Sequence, residues 1–228
     1  MRVKICGLST PETLEAALAA GADMIGLNFH PRSPRHVEQA RAAGLAALAR
    51  GRAQIVAVIV DWDAPRAAAL VEAVGPDWLQ LHGSETPDQV RAIRTATGRP
   101  VMKALGVATA ADIAAVGAYR GVADGLLLDA KPPKDAAYPG GHGSAFDWAL
   151  LRELDPGLRF MLSGGLDPAN VGEAIRIAKP DGVDVASGVE SAPGVKDIGR
   201  IRDFIAAARA AARDLHDAHD FNDEAGRR

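Results

Sequence analysis

Val3-Lys4-Ile5-Cys6-Gly7-Leu8-Ser9-Thr10-Pro11-Glu12 is a short apolar run, a glycine turn and a serine–proline–glutamate helix start. The turn separates two architectures built from alternating strands and helices. A doubly wound open sheet for a dinucleotide normally carries Gly-x-Gly-x-x-Gly after its first strand, and Cys6-Gly7-Leu8-Ser9 does not fit. Outward from this stretch the same unit recurs. Apolar runs at 3–6, 24–29, 55–60, 78–81, 101–104, 125–128, 160–162 and 183–185 read as strands. An alanine-rich or amphipathic helix follows each, the later ones at 87–97, 109–116, 148–154, 169–178 and 198–215. The strands are apolar on both faces, as expected between a packed interior and covering helices. Eight such units without a composition break predict the α/β class: a (β/α)8 TIM barrel, one domain over 1–215. The polar tail 216–228 is expected to be frayed or disordered.

Composition agrees. The chain has 228 residues, 48% hydrophobic and 24% charged, as in an ordinary globular domain of barrel size. A net charge of −3 and an aromatic content of 4% argue against nucleic acid or anionic membrane as partners. The single cysteine excludes an internal disulfide and a cysteine-ligated zinc cluster. No signal segment is expected before the first strand, and no apolar run approaches the roughly 20 residues that span a bilayer. A reducing cytoplasm is the expected compartment.

In such a barrel the chemistry sits at the C-terminal ends of the strands. There the sequence places Cys6, the loop with Arg32 and Arg35, Asp61, His82 and the segment 103–106. Asp129, Ser163-Gly164-Gly165 and Ala186-Ser187-Gly188 complete the rim. Small residues let backbone N–H groups converge on an anion, so Gly164, Gly165, Ser187 and Gly188 are candidate phosphate ligands. The plainer alternative is that they only make tight turns. Asp61-Trp62-Asp63, after the third strand, would repel a second phosphate, which predicts one phosphate on the substrate. Asp129 ends an apolar run and precedes a long glycine-rich loop, 130–145, that suits a lid. A carboxyl shielded by that lid could serve as a general acid, or else simply cap or face solvent. Cys6 could be a nucleophile, a general base or an inert buried thiol. His82 could orient substrate, pair with a carboxyl or be structural. Arg35 is a fork suited to a carboxylate, or half of a surface salt bridge. No His/Asp/Glu cluster has metal-ligand spacing and no nucleotide fingerprint occurs, so neither metal nor cofactor is expected.

Seven segments, in order and over nearly the whole chain, resemble the phosphoribosylanthranilate isomerase family of tryptophan biosynthesis. They are Lys4-Ile5-Cys6-Gly7, Ser33-Pro34-Arg35, Leu79-Gln80-Leu81-His82-Gly83, Leu128-Asp129, Gly140-Gly141-His142-Gly143 with Phe146-Asp147-Trp148, Leu162-Ser163-Gly164-Gly165-Leu166 and Val183-Asp184-Val185-Ala186-Ser187-Gly188-Val189-Glu190. The resemblance implies a cofactor-free barrel performing an Amadori rearrangement of N-(5'-phosphoribosyl)anthranilate. It implies Asp129 as the general acid on the furanose oxygen and Cys6 as the general base at C2'. It places Arg35 beside the anthranilate group, His82 on the substrate site and the two glycine turns around the phosphate. One small-molecule substrate is then the partner, with the chain a monomer or homodimer. An acid and a base working at one pH further imply a raised pKa at Asp129, a lowered one at Cys6, or both. The lid segment departs from the family's usual pattern, with Ser144 where a basic residue is common. A rival barrel, the histidine-pathway isomerase, uses paired aspartates, and Cys6 argues against it. A silent phosphate-sensing barrel would be expected to lose Cys6 or Asp129, and the chain keeps both.

Overall fold

The computed structural model describes residues 1–131, 140–141 and 146–225, with side chains through 215. Of the expected lid, residues 132–139 and 142–145, including Ser144, lie outside the described residues, as do 226–228. Eight parallel strands close into a barrel in chain order. They are β1 (Arg2–Cys6), β2 (Met24–Asn28), β3 (Gln54–Ile59), β4 (Trp78–Leu81), β5 (Val101–Val107), β6 (Gly125–Ala130), β7 (Met161–Leu162) and β8 (Gly182–Val185). Closure is made by β1, whose Lys4 lies opposite Met24 of β2 and Asp184 of β8. The helices are α1 (Pro11–Ala19), α2 (Gln39–Ala49), α3 (Ala64–Val74), α4 (Pro87–Thr97), α5 (Ala110–Val116), α6 (Val171–Ala178) and α7 (Ile198–Ala225).

Local chemistry starts and stops these helices. Thr10, Asp63, Thr86 and Thr109 each accept a hydrogen bond from the backbone N–H three residues on, satisfying a donor the helix leaves open. Proline in the first turn of α1, α3 and α4 presets the backbone. Gly75 and Gly98 end α3 and α4 in the left-handed region.

Strand alternation sorts the interior into layers. The floor is apolar: Met24, Val56, Met102, Leu127 and Met161 pack together, all buried. Beside it the same alternation brings Lys4, Gln80 and Asp184 inward, Lys4 next to Met24 and Gln80 next to Met102, all buried. Cys6, Asn28, His82 and Asp129 stand above these at the C-terminal rim. The alternate residues, such as Ile5, Leu27, Leu79 and Val183, pack against the helices. The interior is therefore not apolar throughout, as the strands' apolar faces suggest; the Lys4–Asp184 pair sits among its apolar side chains.

Four elements differ from expectation. The segment after β6 is a 3-10 helix, Trp148–Glu153, where an α-helix was expected. Asp147 caps it, and its Leu150 N–H bonds back to the Asp147 carbonyl in the tighter i to i+3 pattern. β5 runs on to Val107, so Lys103 is mid-strand and faces away from the barrel axis, paired with Glu85 at 2.8 Å. After β8 the chain forms a 3-10 turn, Ser187–Val189, and an antiparallel hairpin, β9 (Glu190–Ala192) and β10 (Val195–Lys196). α7 continues to Ala225, past the boundary expected near 215.

Candidate active site

The rim encloses a cavity of about 680 Å3, open mouth included, bordered by Cys6, Arg35, His82 and Asp129 and by both glycine turns. Cys6, Arg35, His82, Asp129 and parts of both turns thus meet in one place, although they come from β1, the loop after β2, β4, β6, β7 and β8.

Asp129 is buried, with His82 Nε2 3.3 Å from its Oδ2. Gln80 Nε2 lies 3.1 Å from His82 Nδ1, within hydrogen-bond distance, so the ring is held between Gln80 and Asp129. Gln80 was missed in the sequence, though its place two residues before His82 puts both on one face of β4. The described part of the lid segment lies over these groups. A Cβ on Gly140 would come 2.6 Å from Asp129 Oδ2 and 2.8 Å from His82 Cε1; Gly140 also has positive φ, so glycine is required twice over.

Arg35 is neither solvent-exposed nor part of a surface bridge. It is buried and grips Glu190 with two bonds, Nε to Oε1 at 2.7 Å and Nη2 to Oε2 at 2.8 Å. Nη2 also donates to the Gly141 carbonyl at 3.2 Å, tying the loop after β2 to the lid segment. Glu190 accepts a further bond from Lys196 Nζ at 2.7 Å. Burial by itself pushes the Glu190 carboxyl up, but Arg35 and Lys196 outweigh it and the net shift is downward. For Lys196, burial dominates and lowers the ammonium's pKa despite Glu190. Neither Glu190 nor Lys196 was expected at the site, because the hairpin that delivers them has no clear signal.

Cys6 is buried at the cavity floor with its thiol pushed up, contrary to the lowered value considered from the sequence. Burial is the largest cause; Asp184 adds to it, while the Lys4 and Lys196 ammonium groups oppose it. Lys4 and Asp184, a second missed pair, bond at 2.9 Å just below the thiol.

The glycine turns meet as expected, with one correction. Gly164, Gly165 and Ser187 line the cavity, but Gly188 does not. A Cβ at Gly188 would sit 1.9 Å from the Leu166 carbonyl oxygen, so its job is to let one turn press against the other. Asp61 and Asp63 do not line the cavity either. Asp61 accepts from Ser84 N–H at 2.7 Å and Asp63 caps α3. Trp62 is buried beneath the Arg66 guanidinium. Arg32 is exposed. Among the described residues no cluster of three or more His, Cys, Asp or Glu could hold a metal, and no helix is long and apolar enough to cross a membrane.

A parallel barrel with a carboxyl–histidine pair, a buried thiol and a tethered arginine around one open cavity is the plan of a TIM-barrel enzyme. Its particular kind follows from comparison. Residues 3–207 match the family N-(5'phosphoribosyl)anthranilate (PRA) isomerase, and the chain belongs to that family. A relative from Nitrobacter winogradskyi, named N-(5'-phosphoribosyl)anthranilate isomerase, is 58% identical over 216 residues, covering 95% of this chain and 96% of its own. The crystal structure of phosphoribosyl anthranilate isomerase from Thermotoga maritima superposes with a TM-score of 0.82 at 34% identity, covering 92% of this chain and 99% of that one. A further isomerase structure, in complex with reduced 1-(o-carboxyphenylamino)-1-deoxyribulose 5-phosphate, gives a TM-score of 0.79 at 32% identity, with the same coverage.

Proposed function

We infer that the protein catalyses the reaction its family is named for, with Asp129 as general acid and Cys6 as general base. It isomerises N-(5'-phosphoribosyl)anthranilate to 1-(2-carboxyphenylamino)-1-deoxy-D-ribulose 5-phosphate, a step of tryptophan biosynthesis. The observation that carries the roles is that a buried carboxyl fixed by His82 and a buried thiol open onto the same cavity.

The steps follow from the residue types. Asp129 gives its proton to the furanose ring oxygen; the C1'–O bond breaks as the nitrogen lone pair forms the Schiff base. Cys6 thiolate takes the C2' proton, and the C–H electrons form the enolamine while the C=N pair returns to nitrogen. Tautomerisation moves the enol proton to C1' and leaves the ketone. Arg35, held by Glu190, faces the anthranilate carboxylate, and His82 keeps the acid in place. Gly164, Gly165 and Ser187 offer backbone N–H groups to the single phosphate, with Gly188 holding their turns together. No metal or organic cofactor is needed for these proton transfers. The enzyme works on this small molecule in the cytoplasm as a monomer or homodimer.

The test follows the fluorescence of phosphoribosylanthranilate with wild type, Cys6→Ser and Asp129→Asn. Wild type consumes the substrate, and each variant loses about 10²- to 10⁴-fold in kcat. A wild type that leaves the substrate untouched refutes the activity; full activity in Asp129→Asn means that another group is the acid.

A further inference from the structure

Lys4 and Cys6 are two residues apart on β1 and so share the inner face of the barrel. Lys4 is wholly buried, and its ammonium is fixed by Asp184 Oδ1 at 2.9 Å from the neighbouring strand. On the other side β2 supplies Gly26, paired with Cys6. A Cβ there would lie 2.8 Å from Cys6 Sγ and 3.2 Å from Lys4 Nζ. The space over Gly26, too tight for a methyl group, is therefore bordered by both the sulfur and the ammonium. A buried lysine is costly to hold unless its charge is paired. Asp184 supplies that pairing; the glycine niche gives the ammonium a second neighbour.

Resting on the assignment of Cys6 as the base, we propose that Lys4 is a positioning residue for the reaction: its ammonium, held by Asp184, stands beside Sγ and stabilises the thiolate that removes the substrate proton. Three charged groups bear on the sulfur: Lys4 on β1, Asp184 on β8 and Lys196 on β10. From β2 come Gly26 and Asn28, neither of which titrates. Burial raises the thiol and Asp184 adds to it; Lys4 is the strongest of the groups opposing them. Lys4 and Asp184 therefore act on the thiol with opposite signs, so removing each moves it in a different direction.

The test is the pH profile of iodoacetamide alkylation of the folded protein, followed by mass, since Cys6 is the only cysteine. Lys4→Met is expected to move the profile to higher pH and slow alkylation near neutral pH by about tenfold or more, the effect of losing an adjacent opposite charge. Asp184→Asn is expected to move it to lower pH. A merely loosened barrel would relieve burial and shift the Lys4→Met thiol downward, so the sign separates the two accounts. An unchanged or lowered profile in folded Lys4→Met overturns the proposal. If that variant does not fold, Lys4→Met is added to Asp184→Asn, which leaves no unpaired charge. There it must raise the profile above that of Asp184→Asn alone, and failure to do so is equally fatal. Alkylation needs no substrate, so the base assignment is judged separately: full isomerase activity in Cys6→Ser would sink it whatever the profile.

Discussion

Glu190 is one carboxylate shared by two buried cations, Arg35 and Lys196, and it also accepts the Gly194 N–H at 3.2 Å. Its folded-state pKa lies below the ordinary carboxylate value. The stabilisation is therefore fully present above that ordinary value and is lost as pH falls through the depressed one. Glu190→Gln keeps the shape but strands both cations, so it is expected to cost about 3–5 kcal/mol in urea unfolding at neutral pH. KM should rise more than kcat falls, because Arg35 loses its tether. The stability gap from wild type should close as pH falls, where the wild-type carboxylate is itself protonated; a gap unchanged down to about pH 3 would refute this account. At this scale the sequence was partly transparent. Cys6, His82 and Asp129 were legible because a strand end announces itself. Lys4 and Asp184 were legible in principle, each a charge inside an apolar strand, and alternation from Cys6 points Lys4 inward. Glu190 and Lys196 were not, because their approach to Arg35 depends on how a hairpin folds back.

The two glycine turns behave as one element made from two loops. Gly164 has positive φ, and a Cβ on it would come 2.3 Å from the Ala130 nitrogen, so the turn after β7 is pressed onto the end of β6. Gly188 in turn is pressed against Leu166 and Asp167, whose backbone cannot swing aside as a side chain could. Gly188→Ala is expected to cost about 1–3 kcal/mol through overpacking and to push the turns apart. Because Gly188 touches no reacting atom, KM for the phosphorylated substrate should rise while kcat stays near wild type. A thermal melt and steady-state kinetics check both, and an unchanged KM would show that the spacing of the turns does not matter to binding. The sequence announced the turns through their glycines but could not divide the labour among them. Close backbone approach is a property of two loops together. The segment 148–154 reads as helical and is so, but as a 3-10 helix over Trp148–Glu153, because its apolar pattern suits either helix type.

Across the whole molecule the barrel separates stability from chemistry along its axis. The floor of Met24, Val56, Met102, Leu127 and Met161 has no polar partner to satisfy, while every group proposed for proton transfer stands at the opposite rim. The closed eight-stranded order was legible because the strand–helix unit recurs with near-constant spacing, and parallel neighbours joined by such crossovers close naturally. The axial layering was less legible, since it requires the register between strands. That register, Lys4 opposite Asp184 and Met102 opposite Gly125, decides which residues share a level. The separation of roles can be tested directly. Met102→Ala removes a buried floor side chain on β5, a strand from which no acid–base residue projects. It is expected to lower unfolding free energy by about 2–5 kcal/mol through lost burial and the cavity left behind. At a temperature where the variant remains folded, kcat/KM should stay close to wild type, because Met102 does not line the cavity onto which Cys6 and Asp129 open. A large loss of kcat/KM in a folded Met102→Ala protein would mean that the floor transmits its packing to Cys6 and Asp129, and that the layers are not independent.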